Sequence, residues 1–143
     1  MGTYHDDMRT VGQAVGELRA AVDDGRLESM CARHGLDLMV LHGSARHDPA
    51  QAGDLDLAYL PVRGTDPDHL AVVNDLLDLF GDHVDVMPLH HADPVAAWAA
   101  LGRGERLVER TPHRFATAQM RAFGEYRDTQ RYRDLALSLV GRR

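Results

Sequence analysis

The sequence predicts an α/β domain of the α+β kind, in which a small mixed sheet is flanked by helices and a basic helix is added at the C-terminal end. Three observations carry this. Leu36 to Gly43, Asp54 to Leu60 and His83 to Leu89 read as strands, the first through a continuous apolar run and the others through alternation. Around them lie segments with apolar residues at three- and four-residue spacings, as amphipathic helices require. Charge is the third observation: residues 1–102 hold 6 arginines against 17 acids, net −11, and residues 103–143 hold 10 against 5, net +5. A basic module follows an acidic body.

Taken in order, Met8, Val11, Val15, Leu18 and Val22 mark a first helix over about residues 8–22. A second runs from Gly25 to Arg33 and is closed by His34-Gly35 through a left-handed cap. The apolar stretch Leu38 to Leu41 places the next strand in the interior. The loop SARHDPAQAG follows, rich in small and turn-forming residues. DLDLAYL is the second strand, Pro61 to Pro67 a turn, and Asp66 or Asp68 the cap of a helix through Leu70, Val73, Leu76, Leu77 and Phe80 that Gly81 ends. HVDVMPL is the third strand. Asp93-Pro94 opens a short helix that holds Trp98 and stops near Gly102, and GRGERLVER supplies a turn and a short strand.

Thr111 and Pro112 are read as the N-cap and first-turn proline of a last helix reaching about Val140, ~40 Å at 1.5 Å per residue, with Gly124 a point for a bend or break. Phe115, Met120, Phe123, Tyr126, Leu135 and Leu139 are expected to pack, and Arg121, Arg127, Arg131 and Arg133 to make charge contacts. Such a helix either covers the sheet or serves as a docking arm for an acidic partner or a second subunit.

With 143 residues, 44% of them hydrophobic, the chain is expected to form one domain, residues 103–143 being its helical extension. No apolar run approaches the ~20 residues of a membrane span, and MGTYHDDMRT lacks the features of a secretion signal, so a cytoplasmic location is expected. A single cysteine, Cys31, excludes a disulfide framework and multi-cysteine zinc sites. All 16 basic residues are arginines. Without lysine there is no Walker-type phosphate loop and no Schiff-base chemistry, so phosphate must be held by arginine, backbone amides or a metal. Net acidity and only eight aromatic residues argue against direct nucleic-acid binding.

The chemistry concentrates in Gly43-Ser44, then, after nine intervening positions, Asp54-Leu55-Asp56, and Asp85 in the third strand. On an extended strand Asp54 and Asp56 share a face, ~7 Å apart, opposite Leu55 and Leu57. Asp85 stands between Val84 and Val86 in the same manner, so neighbouring strands would bring three carboxylates together. Such a cluster is costly until a cation fills it. Oxygen ligands favour Mg²⁺ or Mn²⁺, and two such ions ~3.5–4 Å apart hold the attacking and leaving oxygens of a phosphoryl transfer in line. Gly43 and Ser44 offer a lysine-free anion grip, and Arg46 a bidentate contact to triphosphate. His90-His91, or His42 with His47, raise a zinc reading, but adjacent histidines on a strand face opposite ways and cannot readily share an ion. Surface or supporting roles are expected, with His42 beside the nucleotide and His47 at phosphate. Trp98 and Cys31 are read as packing residues.

LHGSARHDPAQAGDLDLAYL followed by VDVMPL resembles the minimal nucleotidyltransferases of the DNA polymerase beta superfamily, and in size and layout the MntA-type antitoxins that act with HepT toxins. The resemblance implies a polymerase-beta-like fold and transfer of AMP from ATP to a tyrosine of a HEPN-type ribonuclease toxin, which silences it. It implies that Gly43 and Ser44 bind triphosphate, that Asp54 and Asp56 ligate two Mg²⁺ ions, and that Asp85 completes the second metal site and helps activate the acceptor hydroxyl. The family commonly has an extra residue before Ala-Arg and a glycine after the arginine. Here Ala45-Arg46 follow Ser44 directly and His47 stands in place of the glycine. Two other readings remain: a nucleotidyltransferase for a small hydroxyl compound such as an aminoglycoside, with a homodimer completing the pocket, or an antitoxin that neutralises a toxin by contact alone.

Overall fold

Alternation along the strands divides the interior into two cores, one on each face of the sheet. In a computed structural model, residues 8–141 are described. The strands are β1 (Leu36–His42), β2 (Leu55–Pro61), β3 (Val84–Pro88) and β4 (Glu105–Glu109), in the order β3-β2-β1-β4. β1 lies antiparallel to both β2 and β4, while β2 and β3 are parallel. The parallel pair needs a crossover, and α4 (His69–Phe80) supplies it. The sheet is therefore mixed, as expected.

On one face Met39, Leu41, Leu55, Leu57 and Tyr59 pack against α1 (Val11–Asp23), α2 (Arg26–Arg33) and α4. On the other, Leu38, Val40 and Ala58 pack against α5 (Pro94–Gly102) and α6 (Arg114–Val140) through Ala97, Ala100, Leu101, Ala118 and Ala122. Alanines line this second core, so both helices approach the sheet closely. Gly104 continues the pattern, since a Cβ there would overlap the Ala100 carbonyl and Val40.

Several boundaries differ from expectation for identifiable reasons. α1 begins at Val11, not Met8, because Thr10 is extended and forms a capping box with Gln13, its hydroxyl accepting from the Gln13 amide at 3.1 Å. The loop after β1 opens as one helical turn, α3 (Ser44–His47). Between Asp66 and Asp68, it is Asp68 that caps α4, and Gly81 at φ 96° ends it.

Thr111 does not cap α6. Its hydroxyl donates instead to Asp37, at 2.8 Å, and the Arg114 Nε donates to the same carboxylate at 3.0 Å. His113, at φ 67°, takes the cap position, while the Glu109 carboxylate accepts from the Phe115 amide at 2.9 Å. Asp37 is only 3% exposed, so this buried ion pair ties the start of α6 to the sheet. Beyond it α6 runs through Gly124 without a break. Only its first half is covered: Phe115 packs, Met120, Leu135 and Leu139 do not, and Arg133 folds back onto the Tyr126 ring at 4.0 Å.

Candidate active site

β1 ends at His42, whose partner in β2 is Asp56, and Asp56 in turn pairs with Asp85 of β3. The pleat directs all three to the face that α5 and α6 cover further along the strands, where Val40, Ala58 and Met87 lie. At this end the face is open: Asp85 is exposed and Asp56 half-buried. Asp54 lies just before β2 and is exposed, near enough for its charge to act on Asp56.

Burial chiefly, and then the charges of Asp85 and Asp54, push the Asp56 carboxyl above its ordinary value against the pull of His42. The shift is chiefly that of a carboxylate withdrawn from water, to which the two neighbouring acids add. Among the described residues, no three His, Cys, Asp or Glu side chains are gathered closely enough to hold a metal as they stand. An open set of this kind suits Mg²⁺, which takes one or two carboxylates and completes its shell with water and substrate phosphates.

Gly43 closes the other side. It adopts φ 74°, ψ −164°, a conformation open only to glycine, and an added Cβ would overlap Asp56 Oδ2 and stand 3.1 Å from its Cγ. The backbone of the Gly43-Ser44 turn therefore lies directly on the Asp56 carboxylate, which places any phosphate bound by the turn beside any cation bound by the acid. Buried Ala45 anchors the turn in the core, and Gly43 and Ser44 are exposed.

Arg46 is half-buried, and its Nε has no hydrogen-bond partner among the described residues. The Arg19 guanidinium, bidentate on Glu105 at 2.6 and 3.1 Å, together with the charge of Arg46, holds the Glu105 carboxyl below its usual value. His42 is the other group left open. Burial holds its imidazole below the ordinary value against the charges of Asp56 and Asp85, and its Nε2 lacks a partner among the described residues. His47 is exposed on α3. The pairing of His42 with Asp56 was accessible from strand parity, since His42, Val40 and Leu38 share one face.

His90 and His91 depart from expectation in their geometry. β3 ends at Pro88, and the two histidines lie in a 3-10 turn with ring centroids 4.0 Å apart, not on opposite faces of a strand. Both are exposed. Trp98 packs against Phe123 at 5.1 Å between α5 and α6, and Cys31 is fully buried.

No protein-family model matches the chain, and no curated protein matches it. Solved structures do. A toxin–antitoxin structure with AMP-PNP has a TM-score of 0.69 at 18% identity, with 82% of this chain and 98% of that chain covered. The chain has the MntA fold. An MntA–HepT mutant in which two aspartates at i and i+2 are changed to glutamate matches with the same score and identity over 82% of this chain and 97% of that one. A complex of the tri-AMPylated HEPN toxin of Shewanella oneidensis with its MNT antitoxin matches with a TM-score of 0.66 at 18% identity, covering 85% and 98%. The neighbours are thus toxin–antitoxin structures, one of them with AMP-PNP and one with an AMPylated toxin. Among the described residues of this chain, no helix is long and apolar enough to cross a membrane.

Proposed function

We propose that the chain is a Mg²⁺-dependent adenylyltransferase antitoxin that transfers AMP from ATP to a tyrosine of a cognate HEPN-type toxin and so neutralises it. The observation that carries this reading is the contact of the Gly43 backbone with the Asp56 carboxylate, with Asp85 in register beyond it. It joins a phosphate grip to a cation site within one strand spacing. The AMPylated toxin and the AMP-PNP found with neighbours of the same fold support the choice of nucleotide and of acceptor class.

In this reading the Gly43 and Ser44 amides and the Ser44 hydroxyl bind triphosphate, and the guanidinium of Arg46, whose buried Nε has no partner among the described residues, adds a charge-assisted contact. Asp54, Asp56 and Asp85 are the residues that would hold Mg²⁺, with substrate phosphates completing its shell, and the ion would supply positive charge to offset that developing on the leaving oxygens. The tyrosine oxygen attacks the α-phosphorus, the bond from that phosphorus to the bridging oxygen breaks, and pyrophosphate leaves with the electron pair. The phenolic proton passes to the Asp85 carboxylate. Exposure of Asp85 leaves the acceptor side open, as a polypeptide substrate requires.

The test is incubation with labelled ATP, Mg²⁺ and the cognate toxin. Wild type should add one or more AMP masses to the toxin, while Asp54→Asn and Asp56→Asn should bind the toxin, add nothing and fail to protect cells. Normal labelling by either variant overturns the site, and full protection by either assigns neutralisation to contact alone.

A further inference from the structure

Beside the first half of α6 lies a cavity that no residue of the candidate active site lines. It holds about 420 Å³ between the end of β2, the 3-10 turn after β3, α5 and α6. Leu60, Leu89, Ala97, Leu101, Ala118 and Ala122 form its apolar floor, which belongs to the second core. The space stays open because alanines stand where longer side chains would fill the angle between the two helices and the sheet. Leu60 is four residues past Asp56, which puts the cavity ~13 Å along β2 from that carboxylate.

The charged groups of the lining are mainly arginines. Arg114, Thr117, Arg121 and Glu125 follow one another at three- and four-residue steps, so α6 turns one polar edge to the cavity, and Arg63 lines it from the turn after β2. The Arg114 Nε and Nη2 donate to Asp37 and to the Pro61 carbonyl, which leaves Nη1 open among the described residues. Arg121 meets Glu125 at 3.1 Å, but with the two side chains 80% and 49% exposed that pair is weak and yields to a better-placed anion. Arg63 is exposed and enters no ion pair among the described residues, even with Asp66 three positions on. His90 also lines the cavity, and burial with the nearby His91 holds its imidazole below the ordinary value, so it adds no charge at pH 7. Three arginines set against Glu125 and, behind Arg114, Asp37 leave a net charge of +1.

A cavity of this size, apolar below and edged by a few convergent donors, has the make-up of a small-molecule site. We propose that it is a second ligand site of the chain, for a small amphipathic anion whose ring or short chain lies on the leucine and alanine floor and whose carboxylate or phosphate head is held by Arg63 and Arg121, with the Arg114 Nη1 as a further donor. Occupancy joins the turn after β2 to α6 and so steadies the seating of that helix on the sheet.

The experiment is isothermal titration calorimetry of the full chain with 2-naphthoate, 2-naphthyl phosphate and the uncharged 2-naphthalenemethanol. One molecule per chain is expected for at least one of the two anions, bound at least about tenfold tighter than the alcohol, and the tighter anion names the head group. Arg63→Glu/Arg121→Glu should weaken it at least about tenfold, chiefly at low salt, and Thr117→Trp should abolish it by filling the cavity from an exposed position. Both variants leave the buried floor and the Asp37–Arg114 pair intact. At ten times its Kd the anion should raise Tm by ~5 °C in wild type and not at all in Thr117→Trp. An excess of ATP with Mg²⁺ should leave its affinity unchanged. A wild type that binds neither anion overturns the inference, as does one that binds the alcohol equally well. Binding that survives either variant also overturns it, and gives the probe to another surface such as the open groove beside Val95 and Tyr132. Displacement by ATP would merge the cavity with the active site and overturns it as a separate site. None of these titrations requires nucleotide transfer, so they stand apart from the fate of the proposed reaction.

Discussion

Gly43→Ala tests the join between the Gly43-Ser44 turn, proposed to bind phosphate, and the carboxylates. Holding a residue with a side chain at φ 74°, ψ −164° costs ~1–3 kcal/mol, and the new methyl would in addition overlap Asp56 Oδ2. At ~2.1 cal/mol/K per residue, a chain of 143 residues unfolds with an entropy of ~0.3 kcal/mol/K, so a total cost of ~2–3 kcal/mol lowers Tm by ~7–10 °C. The catalytic cost is separable. To relieve the overlap Asp56 must turn away, and a displacement of ~1 Å at a reacting centre lowers the rate ~100-fold. Thermal melts and labelled-ATP incorporation measure the two effects. A cycle with Asp56→Ala divides the stability term: truncation removes the contacts at Oδ2 and Cγ but leaves Cβ at 3.3 Å, so in that background Gly43→Ala should cost ~1 kcal/mol less. A Gly43→Ala protein that melts within ~2 °C of wild type and transfers AMP normally would refute the geometry. A cycle without coupling would place all the strain in the backbone.

Because the Asp56 carboxyl is raised above 3.8 in the folded chain, the native state binds its proton more tightly than the unfolded state. Stability of the metal-free protein should therefore fall as pH rises through the window between those values and stay lower above it, and Asp56→Asn should flatten that slope and melt at the same or a higher temperature at pH 7. Asp37→Ala leaves the Arg114 guanidinium, 12% exposed, without its carboxylate and should cost ~3–5 kcal/mol, read as a Tm drop of ~10–17 °C. Cys31, fully buried with its thiol pushed up to about 12, should react with a disulfide reagent at pH 8 only as fast as the protein unfolds.

Local signals made most of the elements legible. Asp68, Asp93-Pro94 and Gly81 punctuate helices through their own backbone chemistry, which no tertiary contact needs to supply. Thr111 failed as a cap because a long-range partner claimed its hydroxyl: the Asp37 carboxylate, buried 74 positions away, outbids a helix terminus that Glu109 can serve instead. The leucines near the end of α6 misled for a related reason. Helical periodicity reports that a face is apolar, not what covers it, and α5 is too short to reach Leu135 or Leu139. For His90 and His91, which lie past the end of the third strand as expected, the opposite-faces argument failed because it applied strand geometry to residues that form a 3-10 turn.

The placement of Asp56 and Asp85 on one face was legible because it follows from folding itself. Asp56 is held on the open face by Leu55 and Leu57, both fully buried on the other. A slip of one residue in β2 would carry Asp56 into the core beneath α1 and α4 and expose both leucines, at a cost of several kcal/mol from buried charge and lost apolar burial. Register with β1 then sets His42 beside Asp56, and register with β3 sets Asp85 there. What alternation alone does not determine is the sharpness of the exit from β1. That depends on Gly43, whose missing side chain lets the backbone close onto Asp56 before Ala45 re-enters the core. Parity along the strands thus selects the face on which the carboxylates stand, and a single unsubstituted Cα sets how near the Gly43-Ser44 turn comes to them.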